Sequence, residues 1–183
     1  MKKAFIVIAT LLVALIALLL FNTFTFKSKQ VAQAGAAPIE FPTDPAAVEH
    51  LSKAISIPTI SYDDTTKMQG NGVFDSFLVF LQNSYPNVFN TLKDTIIGGR
   101  NILLKWEGTD ASLKPAVLYA HIDVVPIEQN SLNQWKHGSF SGDVADGYIW
   151  GRGAIDDKGS LISIYEAIDR LVRAGFRPKR TIY

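Results

Sequence analysis

From Ala4 to Phe21 the chain reads AFIVIATLLVALIALLLF, apolar at every position except Thr10 and free of charge. A run that is apolar all round predicts a helix with no polar face. It is long enough for a marginal membrane span and rather long for a signal-peptide core. Lys2 and Lys3 precede it and Lys27 and Lys29 follow, so the flanking charge nearly balances and sets no orientation. The small-x-small triplet Ala32-Gln33-Ala34 keeps a cleaved signal open, although it lies well beyond the run. Length favours an uncleaved anchor. The expected localisation is therefore a membrane-anchored protein facing an extracytoplasmic compartment, or a secreted or periplasmic one if the segment is cleaved.

After this segment the pattern changes twice. Residues 27–43 are small, polar and proline-containing, which suits a linker between residues 1–26 and a folded region at 44–183. Asp44-Pro45 supplies an N-cap followed by proline at the first helical position, with Val48, Leu51 and Ile55 on one face. Phe74, Phe77, Leu78 and Leu81 predict a second helix over Val73–Ser84, ending before Pro86. The period then shortens. Asn101–Gly108 and Pro115–Asp123 are short apolar runs bounded by Gly, Asp and Pro and predict strands, with a shorter one at Tyr148–Trp150. Gly159–Ala174 predicts an amphipathic helix with Leu161, Ile164, Ile168, Leu171 and Val172 inward and Gly175 as its C-terminal cap. Arg180–Tyr183 reads as the start of a further strand. Helices alternating with buried strands predict an α/β three-layer sandwich, a mixed and mostly parallel sheet flanked by helices. In such sheets ligands gather at the carboxyl ends of the strands.

Composition changes this picture little. The 183 residues carry a formal charge of +1 with no basic stripe, which argues against a nucleic-acid partner. No cysteine is present, so an exported domain would depend on packing or on metal and not on disulfides.

Chemistry concentrates at two places. His121 and Asp123 close the best strand, in YAHIDVVP, and residues two apart on a strand share a face. A metal-binding imidazole needs its second nitrogen held by an acceptor, for which carboxylate serves well. On spacing alone, a strand-end histidine that is structural or merely exposed is the commoner case. The second place is GRGAIDDKG, Gly151–Gly159, where Asp156 and Asp157 stand between a glycine-rich turn and an amphipathic helix. Acidic capping of that helix explains one aspartate, metal binding explains either, and both readings stay open. His50 and His137 are not taken as ligands. Trp135 and Phe140 read as packing residues and Arg152 as structural.

Taken together, HIDVVP, Trp135, Phe140 and DGYIWGRGAIDDKGS (Asp146–Ser160) resemble the signatures of the zinc peptidases and amidohydrolases. That family includes carboxypeptidase S, aminoacylase and succinyl-diaminopimelate desuccinylase. The resemblance runs from about Ala47 to Tyr183 and is greatest to the carboxypeptidase S branch, through AISIPTIS, WEGTDASLKPAVLYAH and AGFRPKRTIY. It implies His121 as a ligand of one zinc and Asp156 as a carboxylate bridging two, with the peptide bond after Asp156 often cis. Asp123 would serve the catalytic site by orienting His121. Two Zn2+ per site are implied, with Co2+ or Mn2+ able to substitute. The implied activity is hydrolysis of a peptide or N-acyl amino acid substrate, with a homodimer formed through an inserted domain.

In that family the general base, two further carboxylate ligands and a distal histidine follow the strand that begins at Arg180. The expectation is therefore an amino-terminal part of such a hydrolase, inactive by itself, with membrane contact through residues 4–21. The alternative is a non-catalytic, membrane-tethered binding module derived from one.

Overall fold

The computed structural model describes residues 2–27, 44–64, 66 and 72–183. The chain divides into two compact units, Met1–Phe41 and Pro42–Tyr183. The linker expected at 27–43 lies, apart from Lys27, outside the described residues.

The first unit contains one helix, α1 (Lys2–Thr25), with a mean hydropathy of 3.2 over its most apolar window. At 1.5 Å per residue a helix of this length extends about 36 Å, against a hydrocarbon core of about 30 Å. Its threonine hydroxyls are satisfied locally. The hydroxyls of Thr10, Thr23 and Thr25 donate to the carbonyls of Ile6, Leu19 and Phe21, four residues back. This suits an apolar solvent, where no water would satisfy them. By length and composition α1 can cross a membrane, and a signal sequence meets the same criteria.

The second unit begins at α2 (Pro45–Ser56), where the Asp44 carboxylate accepts the Ala46 amide at 3.0 Å and Pro45 opens the helix. Helix α3 (Gly72–Ser84) buries Phe74, Phe77 and Leu81. Pro86, two residues past the end of that helix, starts the short α4 (Pro86–Thr91). Helix α5 (Lys158–Arg173) packs on α2 and α4. Its inward face differs from the expected one. Ile162 and Tyr165 are buried beside Leu161 and Ile168, and Leu171 is exposed. Tyr165 sets this rotation, because its ring meets those of Tyr85 and Phe89 at 5.1 and 6.1 Å. The helix stops at Gly175, whose φ of +71° suits the left-handed C-terminal cap position.

The strands depart further from expectation. The ladders among the described residues are two antiparallel hairpins: β1 (Lys93–Ile97) with β2 (Asn101–Lys105), and β3 (Val144–Ala145) with β4 (Tyr148–Ile149). Strand β1 was not expected, although Gly98-Gly99 between two apolar runs is a hairpin signal. Both glycines have positive φ. The strand expected at Pro115–Asp123 is extended chain. Its ladder reduces to bonds of Ala116 and Leu118 with Thr181 and Tyr183. Ile182 bridges Trp106 on one side, antiparallel, and Ala116 on the other, parallel. Among the described residues parallel pairing is thus confined to that bridge and to Ile60–Val124. Alternation survives along the extended stretch. Ala120 and Ile122 pack on the core, whereas Val117 and Tyr119 are exposed.

One polar network ties the helices together. Glu166 on α5 lies 2.6 Å from His50 Nδ1 on α2 and accepts the Tyr85 hydroxyl at 2.8 Å. Burial, followed by the Glu166 bond, raises the Tyr85 hydroxyl above its ordinary range, and burial does the same to Tyr165. Tyr85→Phe should therefore cost about 1–2 kcal/mol at neutral pH, measured by urea unfolding. Above about pH 10 the unfolded tyrosines lose protons that the folded ones keep. Stability should fall as pH rises through that range, and less steeply in Tyr85→Phe. An unchanged alkaline slope would contradict the assignment.

Candidate active site

The site is assembled by two strand-like segments and one turn. Residues 57–61 run beside 122–124: Val124 donates its amide to the Thr59 carbonyl at 2.9 Å, and Ser61 donates its own to Val124 at 3.0 Å. The buried Thr59 hydroxyl donates to the Ile122 carbonyl. These bonds hold the His-x-Asp stretch from one side.

The other side is the turn before α5. Gly151 and Gly153 have φ of +147° and +89°, and a Cβ on either would lie 2.3 Å from Ile55 Cγ2 or 2.8 Å from Val124 Cγ1. The two glycines therefore let this turn lie against α2 and the 122–124 segment. Behind it, Lys158 is fully buried, with its amine donating to the carbonyls of Ala54 at 2.8 Å and Ile57 at 2.6 Å. Burial lowers its pKa to about 7. Sequence reasoning assigned nothing to Lys158; a lysine in a glycine-flanked acidic turn gives no sign of burial.

The structure brings the three predicted site residues together. His121 Nε2 lies 3.0 Å from Asp156 Oδ1, across 35 residues of sequence. His121 Nδ1 faces Asp123 twice, its backbone carbonyl at 3.0 Å and its carboxylate Oδ1 at 3.2 Å. Burial alone would lower the imidazole pKa. The hydrogen bond to Asp156, with Asp123 behind it, outweighs that and raises it. Asp156 is joined to Asp157 by a cis peptide bond. Asp157 occupies the N-cap of α5 but makes no side-chain capping bond there. Its carboxylate accepts the His121 backbone amide at 3.3 Å instead. Capping therefore does not account for the pair of aspartates: one faces the imidazole and the other holds the backbone that carries it. His137 is set apart, its Nδ1 on Asp143 at 3.0 Å and its ring stacked on Trp150. Arg152 sits over the Trp135 ring.

The donor set suits a metal ion in part. With zinc bonds of about 2.0–2.2 Å to nitrogen and oxygen, two ligands on a tetrahedral ion stand roughly 3.3 Å apart. The observed 3.0 Å between Nε2 and Oδ1 needs little adjustment. Among the described residues no group of three or more His, Cys, Asp or Glu could hold a metal, so the described residues offer two candidate ligands and a supporting carboxylate. Beside them a cavity of about 540 Å3 runs from His121 and Asp123 between Ala120, Leu81 and Leu161.

Residues 117–183 match the family model described as peptidase family M20/M25/M40. The probable carboxypeptidase S-like 2 of Dictyostelium discoideum is 39% identical over 184 residues, covering 97% of this chain and 35% of that protein. The N-fatty-acyl-amino acid synthase/hydrolase PM20D1 of Xenopus tropicalis is 38% identical over 138 residues, covering 74% of this chain and 26% of its own. This chain thus spans about a third or less of the length of these relatives. Among solved structures, the M20 family metallo-carboxypeptidase Sso-CP2 of Sulfolobus solfataricus superposes with a TM-score of 0.56 at 22% identity. That match covers 76% of this chain and 30% of the other, and it speaks to the fold alone. The family match falls on the segment that holds His121, Asp123 and Asp156, and with these relatives it makes the chain similar to the M20/M25/M40 peptidases, and within them to the carboxypeptidase S branch.

Proposed function

We propose that this chain contributes part of the metal site of a metal-dependent hydrolase of amide bonds, acting on small peptides or N-acyl amino acids. The observation that carries the reading is the placement of His121 Nε2 opposite Asp156 Oδ1 while Asp123 occupies the other imidazole nitrogen. In this reading His121 is one ligand, Asp156 is a carboxylate shared by two zinc ions, and Asp123 fixes the imidazole. Bound zinc would supply Lewis acidity, polarising the scissile carbonyl and drawing the pKa of a water toward neutrality. The chain's own part is positional. Asp123 keeps Nε2 bare and aimed, Asp157 holds the His121 backbone, and the packed turn Gly151–Gly153 delivers Asp156. The exposed face of Val117 and Tyr119 supports a three-layer sandwich in which further chain covers the sheet.

Two candidate ligands make a weak site. The purified polypeptide 1–183 should bind zinc weakly and show no chelator-sensitive hydrolysis of dipeptides or N-acyl amino acids. Turnover that a chelator abolishes would overturn this part of the reading. The two-ligand count also favours the second reading, a binding module descended from such a hydrolase. Chelator-sensitive turnover by a chain of the relatives' full length would exclude it.

For α1 we propose an uncleaved anchor. The protein should stay with membranes through alkaline carbonate washing and keep residues 2–25. A soluble product beginning after Ala34 would identify a signal peptide instead.

A further inference from the structure

We propose that Ser61 is a positioning residue of this site: its hydroxyl fixes the Asp123 carboxylate, and through it the tautomer and aim of His121. The proposal rests on the metal-site reading above. The Ser61 hydroxyl donates to Asp123 Oδ2 at 2.5 Å, and the other oxygen, Oδ1, faces His121 Nδ1 at 3.2 Å. Each carboxylate oxygen thus has one partner, and the line runs Ser61, Asp123, His121, Asp156.

The hydroxyl is needed because of where Asp123 lies. Its side chain is 44% exposed, so water competes for it. A hydrogen bond to an ionised carboxylate is among the stronger kinds available to a hydroxyl. With Oδ2 held, Oδ1 stays on Nδ1. Acceptors face both ring nitrogens, Asp123 at Nδ1 and Asp156 at Nε2; the Asp123 contact favours the tautomer that carries its proton on Nδ1, which is the form whose Nε2 lone pair a metal would need. Without the hydroxyl, the carboxylate is free to turn toward water. The Asp123 backbone carbonyl at 3.0 Å remains as the other acceptor, so the effect should be partial.

A purely structural role for the hydroxyl is a poor account. The 57–61 segment is already fastened to 122–124 by the Ser61 amide to Val124, the Val124 amide to Thr59 and the Thr59 hydroxyl to Ile122. All three bonds survive replacement of Ser61 by alanine. What that replacement removes is the contact with Asp123.

The test uses the protein in a chain of its relatives' full length. Long-range proton–nitrogen spectra of the metal-free form, taken where the imidazole is neutral, report the His121 tautomer. The share of the Nδ1–H form should fall in Ser61→Ala relative to the wild type and return in Ser61→Thr. Zinc affinity, read by competition with a chromogenic chelator, should fall on the order of tenfold in Ser61→Ala, at the low end for a residue behind a ligand. If Ser61→Ala does not fold, the isosteric pair Ser61→Thr and Ser61→Val carries the same comparison, hydroxyl against methyl. An unchanged tautomer together with zinc affinity within twofold of wild type would overturn the proposal. A shifted tautomer in a protein that hydrolyses nothing would sink the hydrolase reading and leave the Ser61–Asp123–His121 linkage standing.

Discussion

Carried in a chain of its relatives' full length, His121→Ala should lower chelator-sensitive amide hydrolysis by on the order of a thousandfold. Among the described residues the imidazole is the one nitrogen donor in this site, and it is held from three directions: Asp156 at Nε2, Asp123 at Nδ1 and Asp157 at its backbone amide. Its removal would deprive the proposed metal site of one ligand, and it leaves Asp156 without the group it faces. In the proposed site several kcal/mol of transition-state stabilisation would come from a metal's Lewis acidity, and about 4 kcal/mol corresponds to a factor of a thousand. Glu49→Gln is the control. That carboxylate pairs with Lys53 on the exposed side of α2 and lies outside the site, so activity should be unchanged. The rate is measured with saturating zinc, so that a loss of affinity alone is partly made good. A His121→Ala protein that keeps more than a tenth of the wild-type rate would remove the imidazole from the proposed site.

The largest expected loss of stability is at Gly142. Its φ is +65°, and a Cβ there would stand 2.2 Å from the Ser52 carbonyl oxygen on α2. The left-handed backbone costs a side chain about 1–2 kcal/mol. The contact adds about 1–3 kcal/mol more, because a helix carbonyl cannot swing aside as a side-chain terminus can. Gly142→Ala should therefore cost about 2–5 kcal/mol by urea unfolding. Gly147 separates the two terms. Its φ is +79°, but nothing lies within 4 Å of a Cβ there. Gly147→Ala should then cost only the backbone part, about 1–2 kcal/mol. Equal losses at the two positions would mean that the 138–142 loop does not press on α2 as described. The loop matters to the site because the same stretch of chain leads through β3 and β4 to Gly151 and Asp156. The Ser52 hydroxyl holds it from below by donating to the Gly142 carbonyl at 2.7 Å.

Helix boundaries were legible because their causes are local. Asp44-Pro45 carries its own cap and first turn, and α3 stops where Pro86 removes a donor, so neighbouring residues alone suffice. The inward face of α5 was legible only in part. The apolar period admits Leu171 and Ile164 as readily as Ile162 and Tyr165, and the rings of Tyr85 and Phe89 select between them. The strand expected at 115–123 has the right alternation without the ladder, since a strand is made by its partners and those are fixed outside the segment. The β1–β2 hairpin was overlooked for the opposite reason. Its turn signal is local, but β1 is exposed throughout and lacks a buried face.

The chain by itself determined the apolar character of α1, the caps of α2, the order of its two chemical motifs and the presence of donors suited to a metal. Spacing left open whether His121 met any partner and whether Asp156 and Asp157 were merely a cap. Tertiary structure decided both, by laying a turn 35 residues away against the His-x-Asp stretch. It also decided what sequence reasoning passed over. Ser61, 62 residues before Asp123, becomes its partner, and Lys158 becomes a buried tie between α2 and α5. The physical reason is range. Caps, turns and periodicity act within a few residues, where the sequence is its own environment. A hydrogen bond between distant side chains exists only after packing has chosen which segments lie side by side.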